Sequence, residues 1–420
     1  MLKIIVLLVF VACYGLAISR RVKIAYVGLA SAAILILILL PANVITPELV
    51  LKSIRWDVLG IYWGFMMVSI LFSESGVPSH LARHVLAHTK NEGMALLALC
   101  AITAFLSSFL ENVGVVLIMA PIAMEIARIT KSSLFLYIIS IAICSNMVTT
   151  VSMIADPPAI ILASEAGMSF LDFYWFQGKL GLGIISAIAA VIGLATLYLC
   201  HFRKMKTKVN IEEEKIETNY LPTMVFVFGI VALALNSYLG VGPGVIGLIV
   251  GVISVVLGFK NISKMIKEFD WNSFFFIVGI FIVIGAVEEV GILGDFARGI
   301  GGLSFNNPGL TLMILVWISV ALSSFIDNVP YSVLMLPVAK NAALAMGAAG
   351  LAYPLMYGTL IGTGIGGNVT PVGATANVFA TGLLEKQGHR VKLKNYIKIS
   401  LAPTIAAVLV AHLLLQLLWM

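Results

Sequence analysis

Apolar positions along this chain fall into long uninterrupted runs, and charged residues cluster between them. Runs of about 20 uncharged residues are long enough to cross a bilayer as helices. Clear examples are 24–47, 132–155, 180–200 and 399–420. The run 221–259 is broken by Asn236, Gly240, Gly242, Pro243 and Gly244, so it predicts two helices around a turn. The stretch 341–384 carries no charge, and shorter runs at 4–19, 58–73 and 271–287 bring the expected number of spans to ten.

Two segments behave differently. Residues 93–124 and 299–339 each hold a single acid, Glu111 and Asp327, in otherwise uncharged sequence. The first would be about 48 Å long as one helix, which overshoots a hydrocarbon core of about 30 Å. It is also short for two full spans, so a re-entrant helical hairpin is predicted for each. Distribution of the basic residues supports this. With both segments as hairpins, 20 Lys and Arg fall on one face and 6 on the other, whereas full crossings would give 12 and 14. Positive charge concentrates on the cytoplasmic side. The expected arrangement therefore places both termini outside and the 201–220 loop in the cytoplasm of a multi-pass cell-membrane protein. Lys3 ahead of an apolar run could suggest a signal peptide, but no small-residue cleavage site precedes Arg20 and Arg21, so a retained first span is expected.

Composition agrees. Of 420 residues, 60% are hydrophobic and 11% charged, against about 25% charged in a soluble domain, which excludes a soluble enzyme, a disordered chain and a disulfide scaffold. The net charge of +6 lies in topology-setting flanks rather than a nucleic-acid patch. Cys13, Cys100, Cys144 and Cys200 lie far apart in apolar runs, where buried unpaired thiols are expected. His80, His84 and His88 share one helix face, but 77–91 reads as an amphipathic interfacial helix rather than a metal site. The 201–220 loop, with Glu212, Glu213 and Glu214, reads as a solvated linker.

The two halves echo one another. Ser107-Ser108-Phe109-Leu110-Glu111-Asn112-Val113 returns 216 residues later as Ser323-Ser324-Phe325-Ile326-Asp327-Asn328-Val329, and Pro121 meets Pro337 at the same offset. Trp56 and Trp271, Glu74 and Glu289, and Gly76 and Gly291 match at 215. With the charge map, the halves enter the membrane from opposite sides, as in transporters built from inverted repeats. The expected fold is all-α and polytopic: ten transmembrane helices plus two re-entrant hairpins in two inverted-topology repeats. The first repeat is 1–200 (inner hairpin 93–128, broken helix 133–164), the cytoplasmic linker 201–220, and the second repeat 221–420 (outer hairpin 299–340, broken helix 351–384). The breaks fall at Ser145 to Thr150 before Asp156-Pro157-Pro158, and across Gly362 to Pro371 and Gly373 to Asn377. Non-helical backbone survives at membrane depth only where it is buried in protein or lines a cavity, so paired breaks point to a binding site.

These motifs resemble the ion transporter superfamily with a citrate-transporter-like domain, and most closely its arsenite-efflux (ArsB), P-protein and NhaD sodium/proton antiporter branches. The likeness rests on the two S-S-F-[LI]-[ED]-N-V tips, on N-x9-D-P-P from Asn146 to Pro158, and on G-G-N-V-T-P-V-G-A-T-A-N from Gly366 to Asn377. It spans roughly residues 22–418. The first half departs from it, with Met147-Val148-Thr149-Thr150 and Ala155-Asp156 where family members often carry glycines and G-D-P-P. The resemblance implies an elevator-type carrier, usually a homodimer, that holds its substrate between hairpin tips and broken helices.

An acid buried in a membrane is expensive and functional by default. The candidate ion- and substrate-binding residues are Ser108, Glu111, Asn112, Asn146, Thr149 and Asp156 in the first half. In the second they are Ser324, Asp327, Asn328, Gly367, Asn368, Thr370, Thr375 and Asn377. Asp156 is also placed to cap the half-helix that begins at Pro157. The sequence carries no ATPase motif, nucleotide-binding loop or catalytic pair, so no cofactor is expected, and coupling to a proton or sodium gradient is. Arsenite efflux and sodium/proton exchange lead, organic-acid uptake follows, and a passive channel is the alternative of a different class.

Overall fold

A computed structural model of the chain describes residues 2–19, 21–209, 216–303 and 307–420. Arg20, the Glu212–Glu214 acidic run and residues 304–306 of the second hairpin segment lie outside the described residues. In hydrocarbon no water pairs with backbone N–H and C=O groups, so an apolar chain must satisfy them within itself. Accordingly the regular structure of the described chain is helical, apart from one two-residue ladder of Trp175–Phe176 against Lys179–Leu180.

Six helices are long and apolar enough to span a bilayer: Leu2–Ser19, Trp56–Ser73, Asn112–Thr130, Leu182–Phe202, Trp271–Glu289 and Leu393–Trp419. Pro243–Leu257 runs into Phe259–Glu268 through an 82° bend, which makes up to seven spans. Five shorter apolar helices accompany them: Ile24–Leu39, Glu92–Ser107, Leu134–Asn146, Leu221–Ala234 and Pro308–Ser323. The 221–259 run is two long helices, Leu221–Ala234 and Pro243–Leu257, joined through the short helix Asn236–Leu239 and Gly240, whose φ of 63° lies in the left-handed region open to glycine.

Three expectations change. The second hairpin starts at Pro308 rather than 299, because Ile292–Leu303 is a separate helix and the Asn307 side chain caps the next one by accepting from Leu310 N–H at 3.0 Å. The 201–220 segment is no free spacer, since its described ends are docked. Glu92 N–H donates to the Thr207 carbonyl (2.8 Å), Gly93 N–H to Met205 (3.0 Å), and Asn219 N–H to Ser75 (2.8 Å). The first N–H groups of a helix lack intrahelical acceptors, and the linker supplies them for Glu92–Ser107. Finally, Cys13, Cys100 and Cys144 are buried free thiols but Cys200 is exposed, because it lies on the outward side of the last turn of its helix.

The helices form two groups. In the first, Trp56–Ser73 lies along Pro243–Leu257, Ile24–Leu39 lies along Trp271–Glu289, and Leu221–Ala234 packs against Pro243–Leu257. Both long pairings depend on glycine. A Cβ on Gly64 would stand 2.9 Å from the Gly247 Cα, and one on Gly28 would stand 3.0 Å from the Phe276 carbonyl oxygen. Small residues let apolar helices approach closely enough for dispersion to hold them in lipid. Each pair is also pinned at a helix start: Asp57 Oδ1 accepts from Gly244 N–H (3.0 Å) and Asn272 Oδ1 from Ala25 N–H (3.1 Å).

The second group holds the hairpins and the interrupted helices. Leu134–Asn146 packs on both Glu92–Ser107 and Asn112–Thr130, and Ala352–Gly366 packs on both Pro308–Ser323 and Asn328–Ala345. The interrupted helices cross: Thr375–Lys386 packs on Leu134–Asn146, and Pro157–Ala166 on Ala352–Gly366. A seam separates the groups, with Trp56–Ser73 against Pro157–Ala166 and Trp271–Glu289 against Asn328–Ala345.

Candidate functional site

Each hairpin turns at its acid. Glu111 and Asp327 are the N-cap residues of the returning helices, Asn112–Thr130 and Asn328–Ala345. Glu111 accepts from Val113 N–H (3.0 Å) through one oxygen and from Gly114 N–H (2.8 Å) through the other. Asp327 accepts from Val329 N–H (3.3 Å) and from the Thr375 hydroxyl (3.1 Å). A carboxylate at a helix N-terminus pairs with orphan donors and with the positive end of the helix dipole, which is how these positions tolerate a negative charge at depth. The capping role expected for Asp156 takes a different form. Asp156 occupies the N-cap position in extended backbone, but its side chain makes no capping hydrogen bond, and the residue lines the cavity with Asn328 instead. Its carboxyl is thereby left directed at the space between the tips.

Both interruptions are knotted together by asparagine. The Asn146 amide donates to Asn368 Oδ1 and to Asn377 Oδ1, each at 2.9 Å. Asn368 donates to the Ile143 carbonyl (2.9 Å), and Asn377 to the Gly367 (3.1 Å) and Thr370 (3.3 Å) carbonyls. The tips are tied to the same breaks. Ser145 donates to the Asn112 carbonyl (3.2 Å), Ser323 meets Asn328 Oδ1 (2.9 Å) and the Thr363 carbonyl (2.8 Å), and the Thr370 hydroxyl donates to the Ser324 carbonyl. Ser108 and Ser324 each turn back to the carbonyl four residues earlier, Ala104 and Val320. Gly367 leaves room for Asn328, whose Oδ1 would lie 3.0 Å from a Cβ there. Three buried polar oxygens beside this network, Asn112 Oδ1, Asn146 Oδ1 and Thr149 Oγ1, have no partner among the described residues. Buried acceptors are normally satisfied, so these are available to a cation or a water.

The tips and breaks enclose a cavity of about 550 Å³. Among the residues expected from the sequence, Glu111, Asn112, Asn146, Asp156, Asp327, Asn328 and Thr375 line it. Ser108, Ser324, Gly367, Asn368, Thr370 and Asn377 do not reach that lining and belong to the supporting network, while Thr149 lies beside it with its hydroxyl unpartnered among the described residues. Sequence reasoning missed Tyr62, Asp270 and Asn272, which line the same cavity from the first helix group. Asp270 and Asn272 flank Trp271, whose match to Trp56 already marked that stretch as repeated sequence. The cavity reaches the face of Arg21, Lys23 and Glu268.

The architecture is shared with a solved transporter. The Alcanivorax borkumensis YdaH transporter matches 88% of this chain and 86% of its own with a TM-score of 0.56, at 14% identity. The chain's family match makes this polytopic bundle, with its hairpin tips and broken helices around a buried polar cavity, a membrane transporter. More narrowly, the chain belongs to the CitMHS family, described as citrate transporter, whose match covers residues 14–362. An uncharacterized transporter of Mycobacterium bovis is 26% identical over 99% of this chain and 98% of its own. The P protein of Sus scrofa is 23% identical over 83% of this chain and 51% of its own, and the magnetosome protein MamN of Magnetospirillum gryphiswaldense 24% over 82% and 80%.

Proposed function

We propose that this protein is a secondary active carrier for a small inorganic or metalloid ion, coupled to protons or sodium. One observation carries the reading: Glu111, Asp156 and Asp327 all line one cavity. Three carboxyl groups in one low-dielectric space repel an approaching dicarboxylate or tricarboxylate unless they are protonated or loaded with a cation. They suit alternate binding and release of protons or sodium. Sodium/proton exchange and arsenite or antimonite efflux satisfy that chemistry. Citrate-type uptake is the second reading, favoured by the family description and by Arg21 and Lys23 at the cavity mouth.

The architecture under this reading is two inverted-topology repeats of ten spans and two hairpins, joined by 201–220. What supports it is the pairing of equivalent positions. Asp57 and Asn272, 215 residues apart, each accept from the start of the second long helix of the opposite half, Pro243–Leu257 and Ile24–Leu39. Trp56 and Trp271 each donate to the carbonyl five residues earlier. Such exchanged contacts are what a pseudo-twofold axis in the membrane plane generates. Under this reading the protein lies in the cell membrane with both termini outside and the cavity open to the cytoplasm, an orientation the charge map supports. The second helix group is the moving unit, the first is the scaffold, and a homodimer joined by scaffolds fits.

Proteoliposome flux under imposed sodium and proton gradients tests this. Glu111→Gln and Asp327→Asn keep the caps in part and remove the titrating charge, and gradient-driven flux should fall at least about tenfold, the loss of about 1.4 kcal/mol of coupling. Unchanged flux in both variants removes the acids from the mechanism. Thermal stabilisation by sodium, arsenite and citrate at two pH values separates the readings, since a bound ligand at about 100 times its Kd adds about 2.7 kcal/mol.

A further inference from the structure

A second crevice lies in the same seam, on the face away from Arg21 and Lys23. It has a volume of about 470 Å³ and is walled by Asp57, Ile61 and Asn236 from the first helix group and by Met153, Ala163 and Asp172 near Pro157–Ala166. Asp57 and Asp172 give it the same sign as the acid-lined cavity. Between the two spaces lies a void of about 10 Å³, enclosed by Tyr62, Phe65, Ile154 and Ile160 beside Glu111 and Asp156. That is no more than one water requires, and its walls on the crevice side are apolar. Ile160, 2% exposed, borders both the void and the crevice. Cavity, plug and crevice therefore lie in series along the boundary between the two helix groups.

An ion pair closes the seam beside the crevice. Arg55, at the start of Trp56–Ser73, pairs with Glu165 at the end of Pro157–Ala166, and its guanidinium also reaches the Ser164 carbonyl and hydroxyl at 3.4 Å. Glu165 is nearly buried, with 8% of its side chain exposed, and holds a second cation, Lys340 Nζ at 2.9 Å. Lys340 also donates to the Glu165 carbonyl at 3.0 Å. The two cations are not equivalent. Lys340 belongs to the same helix group as Glu165, whereas Arg55 crosses the seam.

We propose that Arg55 and Glu165 form the latch of an outer gate, shut in this conformation, and that the crevice beyond is the outer vestibule of the ion path. The inference rests on the carrier reading above. A site open toward Arg21 must be closed on the other side, and the plug with its latch supplies that closure. When the second helix group moves along the seam, Arg55 separates from Glu165. Lys340 travels with the carboxylate, so Glu165 is never stranded as a buried unpaired charge. Two cations on one acid let the latch open without that penalty.

The test uses the full-length protein in proteoliposomes, with Ala155→Cys as reporter in a Cys200→Ala background and a membrane-impermeant maleimide applied from the Arg55 side. Ala155 is 1% exposed and lines the void behind the plug, so its labelling from the Arg55 side reads the gate. Glu165→Gln and Arg55→Gln should each raise the labelling rate about tenfold by shifting the population toward the outward state. Arg55 is 38% exposed, so its variant folds independently of what Glu165→Gln does to stability. Lys340→Gln leaves Arg55 as the remaining partner of Glu165, so opening strands the carboxylate and the labelling rate should fall below wild type. No rise in Arg55→Gln, or an equal rise in Lys340→Gln, overturns the latch. Wild-type flux on the same vesicles separates the two levels. Gradient-driven flux with unaltered labelling in Arg55→Gln removes the latch and leaves the carrier; absent flux with raised labelling removes the carrier and leaves a closure.

Discussion

Replacing Asn146 by Ala is the sharpest probe of how the two broken helices are held. The substitution removes one amide group that donates two 2.9 Å hydrogen bonds across the centre of the protein. Its partners cannot turn their amides to compensate, because Asn368 is pinned through its own NH₂ to Ile143 and Asn377 to Gly367 and Thr370. Both Oδ1 atoms are therefore stranded, and all three residues are at most 1% exposed. A buried acceptor left unsatisfied costs about 1–3 kcal/mol in soluble proteins, while interhelical bonds in membrane proteins average about 0.6 kcal/mol. Two pinned acceptors set the expected loss at about 2–4 kcal/mol, above the membrane average because local rearrangement is blocked. Thermal unfolding of the purified protein measures it, and a double-mutant cycle with Asn377→Ala isolates the shared bond. Coupling near 1 kcal/mol is expected. A loss below about 0.5 kcal/mol with no coupling would refute the argument that asparagine ties the two breaks together.

Gly64→Val should abolish folded expression, because its side chain must occupy the space of the Gly247 backbone; a monodisperse, thermally stable variant on gel filtration would contradict the packing. Asp57→Ala and Asn272→Ala each remove one helix cap, at 3.0 and 3.1 Å, and should each lower stability by about 1 kcal/mol, with additive losses in the double variant because the sites share no partner. Lys52→Cys and Lys392→Cys report orientation: an impermeant thiol reagent should label the first from outside intact cells and the second only in inverted vesicles, and labelling of both from one side would overturn the charge-derived topology.

Much of the cavity lining was legible in the chain because depth and acidity rarely coincide by accident. Glu111, Asp156 and Asp327 stand out in apolar sequence, and six of the seven lining residues foreseen are Asn, Asp or Glu beside a break or a tip. The rest was hidden for definite reasons. Glu165 sits among ordinary flanking charges, and its role depends on Arg55, 110 residues away, and Lys340, 175 residues away, meeting it in space. Asp270 reads as a helix-start residue, and it does accept from Ser273 N–H at 3.0 Å, yet packing also brings it to the cavity. The supporting half of the foreseen set, such as Thr370 and Asn377, has the composition of ligands but is consumed by backbone carbonyls.

The sequence by itself determined the class of molecule. Apolar run length dictates helices, because hydrocarbon tolerates no unpaired backbone, and the repeated tips and paired breaks announce where helices stop at depth. Only the tertiary structure decided how those pieces share work. Pattern cannot say that an acid will cap its own helix while its neighbour Asp156 is left uncapped, or that one asparagine will bridge both halves. Nor can it say that a glycine stripe will pair Trp56–Ser73 with Pro243–Leu257 and so set the seam along which cavity, plug and crevice line up. Each of these depends on distances between residues remote in the chain, and close packing fixes those distances only once the whole bundle has formed.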